Sequence, residues 1–114
     1  MVIKHPRDIP FEDMSKHKGV KKQIYIGPKD GSNEIVMRYF SVEPGYSTPY
    51  HCHNFPHVVK VEKGNGVLVN MDGTENDLSV GKVAFVDEDE IHCFKNTGDE
   101  SFDFLCIVPL RGEQ

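Results

Sequence analysis

Residues 45–64 read GYSTPYHCHNFPHVVKVEKG, and three of the chain's six histidines, His51, His53 and His57, fall inside this stretch. His51 and His53 can turn their rings toward one target only on extended backbone, where alternate side chains share a face and the intervening Cys52 points the other way. Pro56 makes a helix carrying both His53 and His57 unfavourable, so a turn followed by a new strand is expected. Past His57 the chain alternates, with Val59 and Val61 on the histidine's face and Lys60 and Glu62 on the other. Three imidazoles are therefore expected to converge from two adjacent strands, and converging neutral imidazoles make a transition-metal site. One histidine in a strand is ordinarily no more than a histidine; the spacing of three carries the metal reading, and His92 offers a fourth donor.

Outward from this stretch the pattern is that of a β-protein. Residues 2–4 read as a short edge strand, followed by a polar arm broken by Pro6 and Pro10, with a single helical turn near residues 11–15. Strands are expected over residues 21–26 and 35–42. The second of these, IVMRYFSV, does not alternate cleanly and reads as buried on both faces. Gly64-Asn65-Gly66 is a tight turn requiring positive φ, after which residues 67–71 are expected to return as the second arm of a hairpin. Further strands are expected over 76–80, 83–86, 91–95 and 101–108, separated by turns at Asp72-Gly73, 87–90 and 96–100. Nine or ten short strands at regular spacing, with no convincing helix, indicate an all-β sandwich or barrel.

The 114 residues suit one domain, read as an N-terminal arm over 1–20 and a β-domain over 21–110. A net charge of −5 with no basic face argues against nucleic acid as a partner. No stretch approaches the roughly 20 apolar residues that span a bilayer, so no membrane partner is expected. The N-terminus lacks the apolar core of a secretion signal, and the three cysteines (Cys52, Cys93 and Cys106) are an odd set without a CxxC pair. Free thiols in a reducing cytoplasm are the simplest expectation.

The residues now on the page resemble the cupin superfamily. Its first motif, G-x5-H-x-H-x3-4-E-x6-G, is matched in every gap by Gly45, His51, His53, His57 and Gly64, with His57 standing where most members carry glutamate. Its second, G-x5-P-x-G-x2-H-x3-N, is matched by Gly81, Asp87, Asp89, His92 and Asn96, with Asp87 in place of proline and Asp89 in place of glycine. The resemblance implies a single-domain jelly-roll β-barrel or sandwich. It also implies one divalent transition metal per chain held inside by His51, His53, His57 and His92, in the manner of small cupins with four-histidine sites.

Four neutral imidazoles leave a divalent ion its full formal charge, which makes it a stronger Lewis acid than a site with a carboxylate ligand. Imidazole suits zinc, copper, iron and nickel, and manganese remains admissible. Strand alternation turns Cys52 and Cys93 away from the metal. Cys106 shares the apolar face of the last strand with Phe102 and Phe104; it either lies near the metal or packs as a small hydrophobe. Phe94, Phe104, Arg38, Tyr50 and Phe55 are the remaining candidates for the pocket wall or mouth. The acidic run 87–90 reads as a solvated turn, and His5 and His17 as surface histidines.

The expected function is that of a metal-dependent enzyme acting on a small organic molecule, with oxidoreductase or dioxygenase-like chemistry first. Isomerase or lyase chemistry at a metal-polarised carbonyl is the alternative, and a non-catalytic ligand-binding or sensor protein is the third. Leu105 and Ile107 fall out of phase with Phe104 and Cys106, so they face outward and suggest a homodimer surface, with the N-terminal strand pairing against the partner's sheet edge.

Overall fold

The computed structural model describes residues 1–14 and 16–113. Nine strands run in chain order among these residues: β1 (Glu12–Asp13), β2 (Val20–Ile26), β3 (Ile35–Val42), β4 (His57–Lys63), β5 (Asn65–Val69), β6 (Glu75–Ser79), β7 (Val83–Val86), β8 (Cys93–Asn96) and β9 (Phe102–Pro109). The only helical elements among them are three single 3-10 turns, at Pro6–Asp8, Pro28–Asp30 and Leu110–Gly112. All pairings are antiparallel. They build a six-stranded sheet, β1-β2-β3-β9-β4-β7, which faces a three-stranded sheet, β6-β5-β8. This is the all-β arrangement expected from the strand pattern, and it is consistent with the jelly roll that the resemblance implies.

Alternation places the core. In β4, His57, Val59 and Val61 are buried while Val58, Lys60 and Glu62 are exposed. In β9, Phe102, Phe104, Cys106 and Val108 point inward, with Leu105 and Ile107 half-buried on the outer side. Phe104 lies at the centre of the core, 1% exposed, with its ring 5.6 Å from Phe40, 4.6 Å from Phe94 and 5.4 Å from Phe102.

Strand β3 corrects the expectation of burial on both faces. It alternates after all: Val36, Arg38, Phe40 and Val42 are buried, while Met37 and Tyr39 are half-buried on the outer face. The arginine in an inward slot is what disguised the period. Ser41 is buried on the outer side because its hydroxyl and that of Tyr39 both donate to the Asp103 carboxylate, at 2.7 and 2.8 Å.

Three further expectations are corrected. Residues 2–4 form no strand; the edge of the sheet is instead β1, held in a register that sets Glu12 opposite Lys22 and Asp13 opposite Lys21. The helical turn expected near residues 11–15 is displaced by the same strand, and its last residue, Ser15, lies outside the described residues. Nor do β4 and β5 form a hairpin: β5 pairs with β6 and β8, so the chain crosses from one sheet to the other at Gly64. Gly64 has φ 82°, and a Cβ there would collide with the Ser101 carbonyl oxygen, so the corner admits only glycine.

Asn96, the last residue of the second motif, ties the sheets together. Its buried amide donates to Val42 O in β3 and to Glu100 O, both at 2.8 Å, while its oxygen accepts from Gly98 N.

Candidate metal centre

The segment 47–53 is not a regular strand. It is held by isolated bridges, Ser47 to Lys95 and His51 to His92, and the second exchanges both backbone hydrogen bonds, at 3.1 and 2.9 Å. His51 therefore belongs to the side of the three-stranded sheet, and His57 opens β4 in the six-stranded sheet. The imidazoles converge across the mouth of the barrel rather than from two adjacent strands of one sheet, which corrects the simpler expectation.

The ring nitrogens of His51, His53 and His92 lie within 4.8 Å of one another, a spacing at which one ion can take a nitrogen from each. His57 lies outside that trio but beside it, its ring centroid 4.9 Å from that of His92 and 5.3 Å from that of His53. The hydrogen bonds of these rings decide which nitrogens are free. His92 Nδ1 lies 2.8 Å from the Glu90 carbonyl, which fixes Nδ1 as the protonated nitrogen and leaves Nε2 as a lone-pair donor. His57 Nδ1 lies 3.3 Å from Cys106 Sγ, while its Nε2 is buried without any hydrogen-bond partner among the described residues. Such an orphaned nitrogen is costly unless something occupies the site it faces. The donor set thus fits a divalent transition metal.

Burial is the main cause that pushes all four imidazoles toward the neutral, coordinating form. It drives His57 down to about 3 and His53 down to about 4, in each case helped by the neighbouring histidines and by Arg38. His51, the most exposed of the four, and His92 are lowered too, the latter against the opposing pull of the Glu90 carbonyl. The sign of the pH dependence follows. An unfolded chain takes up protons on these histidines below about 6.5, whereas the folded chain resists doing so. The metal-free protein is therefore expected to have its full stability above pH 6.5 and to lose it as the pH falls toward 4. Urea midpoints of chelator-treated protein between pH 7 and 4.5 test this; a flat profile would show that the imidazoles are not buried as described.

Below the histidines lies a cavity of about 300 Å³, at the small end of the range for small-molecule sites. Arg38, Phe55, Phe94, Phe104 and Cys106, candidates for the pocket wall or mouth, all line it. Tyr50 does not; it is half-exposed and its hydroxyl donates to the Asn70 carbonyl. Cys52 is exposed, and neither it nor the buried Cys93 joins the histidine cluster. Cys106 is both of the things expected of it: a core residue whose thiol burial pushes up, and a neighbour of the site that accepts from Arg38 Nη2 at 3.1 Å. No carboxylate lines the cavity among the described residues.

Sequence reasoning missed four participants. Phe40, Met14 and Gly112 also line the cavity, and a Cβ on Gly112 would press on Phe55 and Val108 at 2.9 Å. Phe55 in turn stacks on His53, with centroids 4.5 Å apart and planes 13° from parallel. Thr48 accepts from Phe94 N at 2.8 Å and pins the histidine segment to β8. The acidic turn does more than meet solvent: Asp89, with φ 64°, donates its N–H to the His53 carbonyl at 2.6 Å, and Glu90 orients His92. Only Asp89 carried a signal, standing where the second motif has glycine.

Comparison with known proteins gives a consistent picture. The Cupin domain family matches residues 38–108. No protein of curated function matches the chain. Among solved structures, the polyketide cyclase RemF from Streptomyces resistomycificus is similar over 96% of this chain and 80% of its own, with 28% identity and a TM-score of 0.90. A cupin 2 domain-containing protein from Halorhodospira halophila is 30% identical over 81% of this chain and 65% of its own, with a TM-score of 0.75. A predicted oxalate decarboxylase from Thermotoga maritima, 22% identical with a TM-score of 0.78, covers 96% of this chain and 99% of its own and shares the fold.

Proposed function

The chain belongs to the cupin domain family, and from that premise we propose that it is a metal-dependent enzyme that closes or rearranges a small carbonyl compound, as a cyclase, isomerase or lyase does. His51, His53, His57 and His92 would hold one divalent ion, of manganese, iron, nickel, copper or zinc. Such an ion supplies Lewis acidity toward a carbonyl oxygen. The observation that carries the reading is the combination of four neutral imidazoles with a cavity walled by Phe40, Phe55, Phe94 and Phe104, with no carboxylate among the described residues that line it. Those rings exclude water and can orient a flat, conjugated molecule by stacking. The similarity to a polyketide cyclase, at 28% identity over nearly the whole chain, supports the same chemistry.

Oxidoreduction at the same ion is the second reading, favoured because no carboxylate is found among the described residues lining the cavity to abstract a proton. One experiment separates the readings. The protein, purified without an affinity tag, is assayed for metal and then incubated in air with a panel of linear poly-β-ketones and aromatic diketones. A product that has lost water or kept its mass supports cyclisation or isomerisation. Oxygen uptake with oxygen in the product supports a dioxygenase. Ligand-dependent stabilisation without turnover indicates a binding protein.

A homodimer completes the proposal. The outer face of the six-stranded sheet carries Val58, Val83 and Phe85, all more than half exposed, next to Leu105 and Ile107. Val58 is the register partner of both Phe85 and Ile107, so the patch is continuous. Light scattering is expected to give a dimer at micromolar concentration for the wild type and a monomer for Phe85→Glu. A monomeric wild type would leave the patch unexplained.

A further inference from the structure

Arg38 is a buried cation whose compensation is incomplete. It is 8% exposed, stands opposite Cys106 in the register of β3 and β9, and is the only lysine or arginine among the described residues lining the cavity. A guanidinium has five N–H donors, and ion pairs that serve structure hold them at about 2.7–2.9 Å. Here Nη2 reaches a thiol at 3.1 Å, Nη1 reaches the Gly112 carbonyl at 3.5 Å and the Glu113 carboxylate at 3.4 Å, and Nε has no partner among the described residues. A structural strut between the C-terminal turn and the sheet already exists in Lys22, which holds Glu113 at 2.9 Å. An apolar side chain in the inward slot of β3 would complete the core without the desolvation cost of a charge.

We propose that Arg38 is the anion anchor of the cavity. The ligand it selects is a flat aromatic or conjugated molecule bearing a carboxylate or enolate, and Glu113 sits on the anchor until that ligand displaces it. This rests on the reading of the cavity as the ligand site and adds a charge requirement to it. Phe40, whose ring lies 5.0 Å from the guanidinium carbon, and Phe94 and Phe104 supply the apolar surface for the ligand's body. The long Arg38–Glu113 contact is what makes displacement feasible. Glu113 keeps its closer partner Lys22, so releasing Arg38 does not require unfolding the C-terminal turn.

The test is calorimetric titration of the protein as purified with 2-naphthoate and with its neutral counterpart, 2-naphthylmethanol, alongside elemental analysis of each variant. Wild type is expected to bind the acid about tenfold or more tightly than the alcohol. Arg38→Met is expected to lose that preference while keeping the wild-type metal content. Glu113→Gln, a change near the chain end with no demand on the core, is expected to tighten binding of the acid several-fold and leave the alcohol unaffected. Equal binding of acid and alcohol by the wild type, or no binding of either, overturns the proposal. So does an Arg38→Met variant that binds the acid as the wild type does, which would place the carboxylate on the metal, and so does a Glu113→Gln variant that binds the acid no more tightly. A wild type without metal that still shows the charge preference would overturn the metal-centre reading and leave the anchor standing.

Discussion

A His57→Ala variant is expected to hold metal at least ~10–100-fold more weakly than the wild type, since even the loss of an outer partner of a metal site costs that much. Turnover is expected to fall with it. The expectation comes from His57 Nε2, a buried nitrogen of the cluster with no hydrogen-bond partner among the described residues. His57→Glu is expected to retain metal, because it restores the ligand most cupins carry at this place in the motif, but to weaken the ion as an electrophile by adding a negative charge. A further readout separates ligation from mere packing. His57 is the imidazole pushed furthest toward the neutral form, so its removal should flatten the acid-side loss of stability in the metal-free protein. Metal retention after dialysis, set beside urea midpoints across pH, measures both. Equal metal retention by all three proteins at every pH would mean that His57 is not a ligand and that the trio of His51, His53 and His92 works alone.

The second large effect is on the fold. Phe104→Ala is expected to cost about 3–5 kcal/mol, the usual penalty for truncating a buried phenylalanine. Set against the roughly 5–15 kcal/mol by which domains are stable, that is enough to unfold a substantial fraction of the protein or to lower its melting temperature sharply. Phe104 joins three other phenylalanine rings, and Phe94 continues the stack to His92, 5.6 Å away, and His57, 6.1 Å away. The variant should therefore loosen the metal cluster as well as the core. Met71→Ala, on an exposed turn away from the cavity and the outer apolar face, serves as the control and should change the urea midpoint little. Similar midpoints for the two variants would show that the aromatic stack is not what holds the sheets together.

These residues also show what a sequence makes legible. The trio of His51, His53 and His92 and the tie at Asn96 are legible because their chemistry depends on spacing, and spacing survives in a string of letters. The inward face of β4 was legible for the same reason, since Lys60 and Glu62 interrupt the valines at the strand period. Arg38 is legible as a candidate for the pocket, but the period of the strand around it is not. A charge in an inward slot makes a regular strand look buried on both sides, and only the structure shows that the anomaly lies in the residue and not in the period. Strand partners were the least legible. Gly64-Asn65-Gly66 has the composition of a hairpin turn, yet the next strand finds its partners in β6 and β8, a choice set by the closure of two sheets around a core. Residues 2–4 read as the edge strand, whereas the edge is β1, whose pairing with β2 sets Glu12 opposite Lys22 and Asp13 opposite Lys21 in a register that no local pattern reveals.

The loop at residues 87–90 acts through its main chain: Asp89 gives an N–H to His53, and Glu90 gives a carbonyl to His92. Its side chains point away from that task, apart from the Asp87 carboxylate that caps the Glu88 amide. Under selection for the metal cluster alone, this segment is therefore free to drift in identity but not in number. Its acidic residues can be exchanged for other polar ones, with position 89 limited to glycine, asparagine or aspartate by its left-handed backbone. A single inserted or deleted residue would shift both anchoring groups at once, and lineages that tolerated it would have abandoned the site while keeping the barrel.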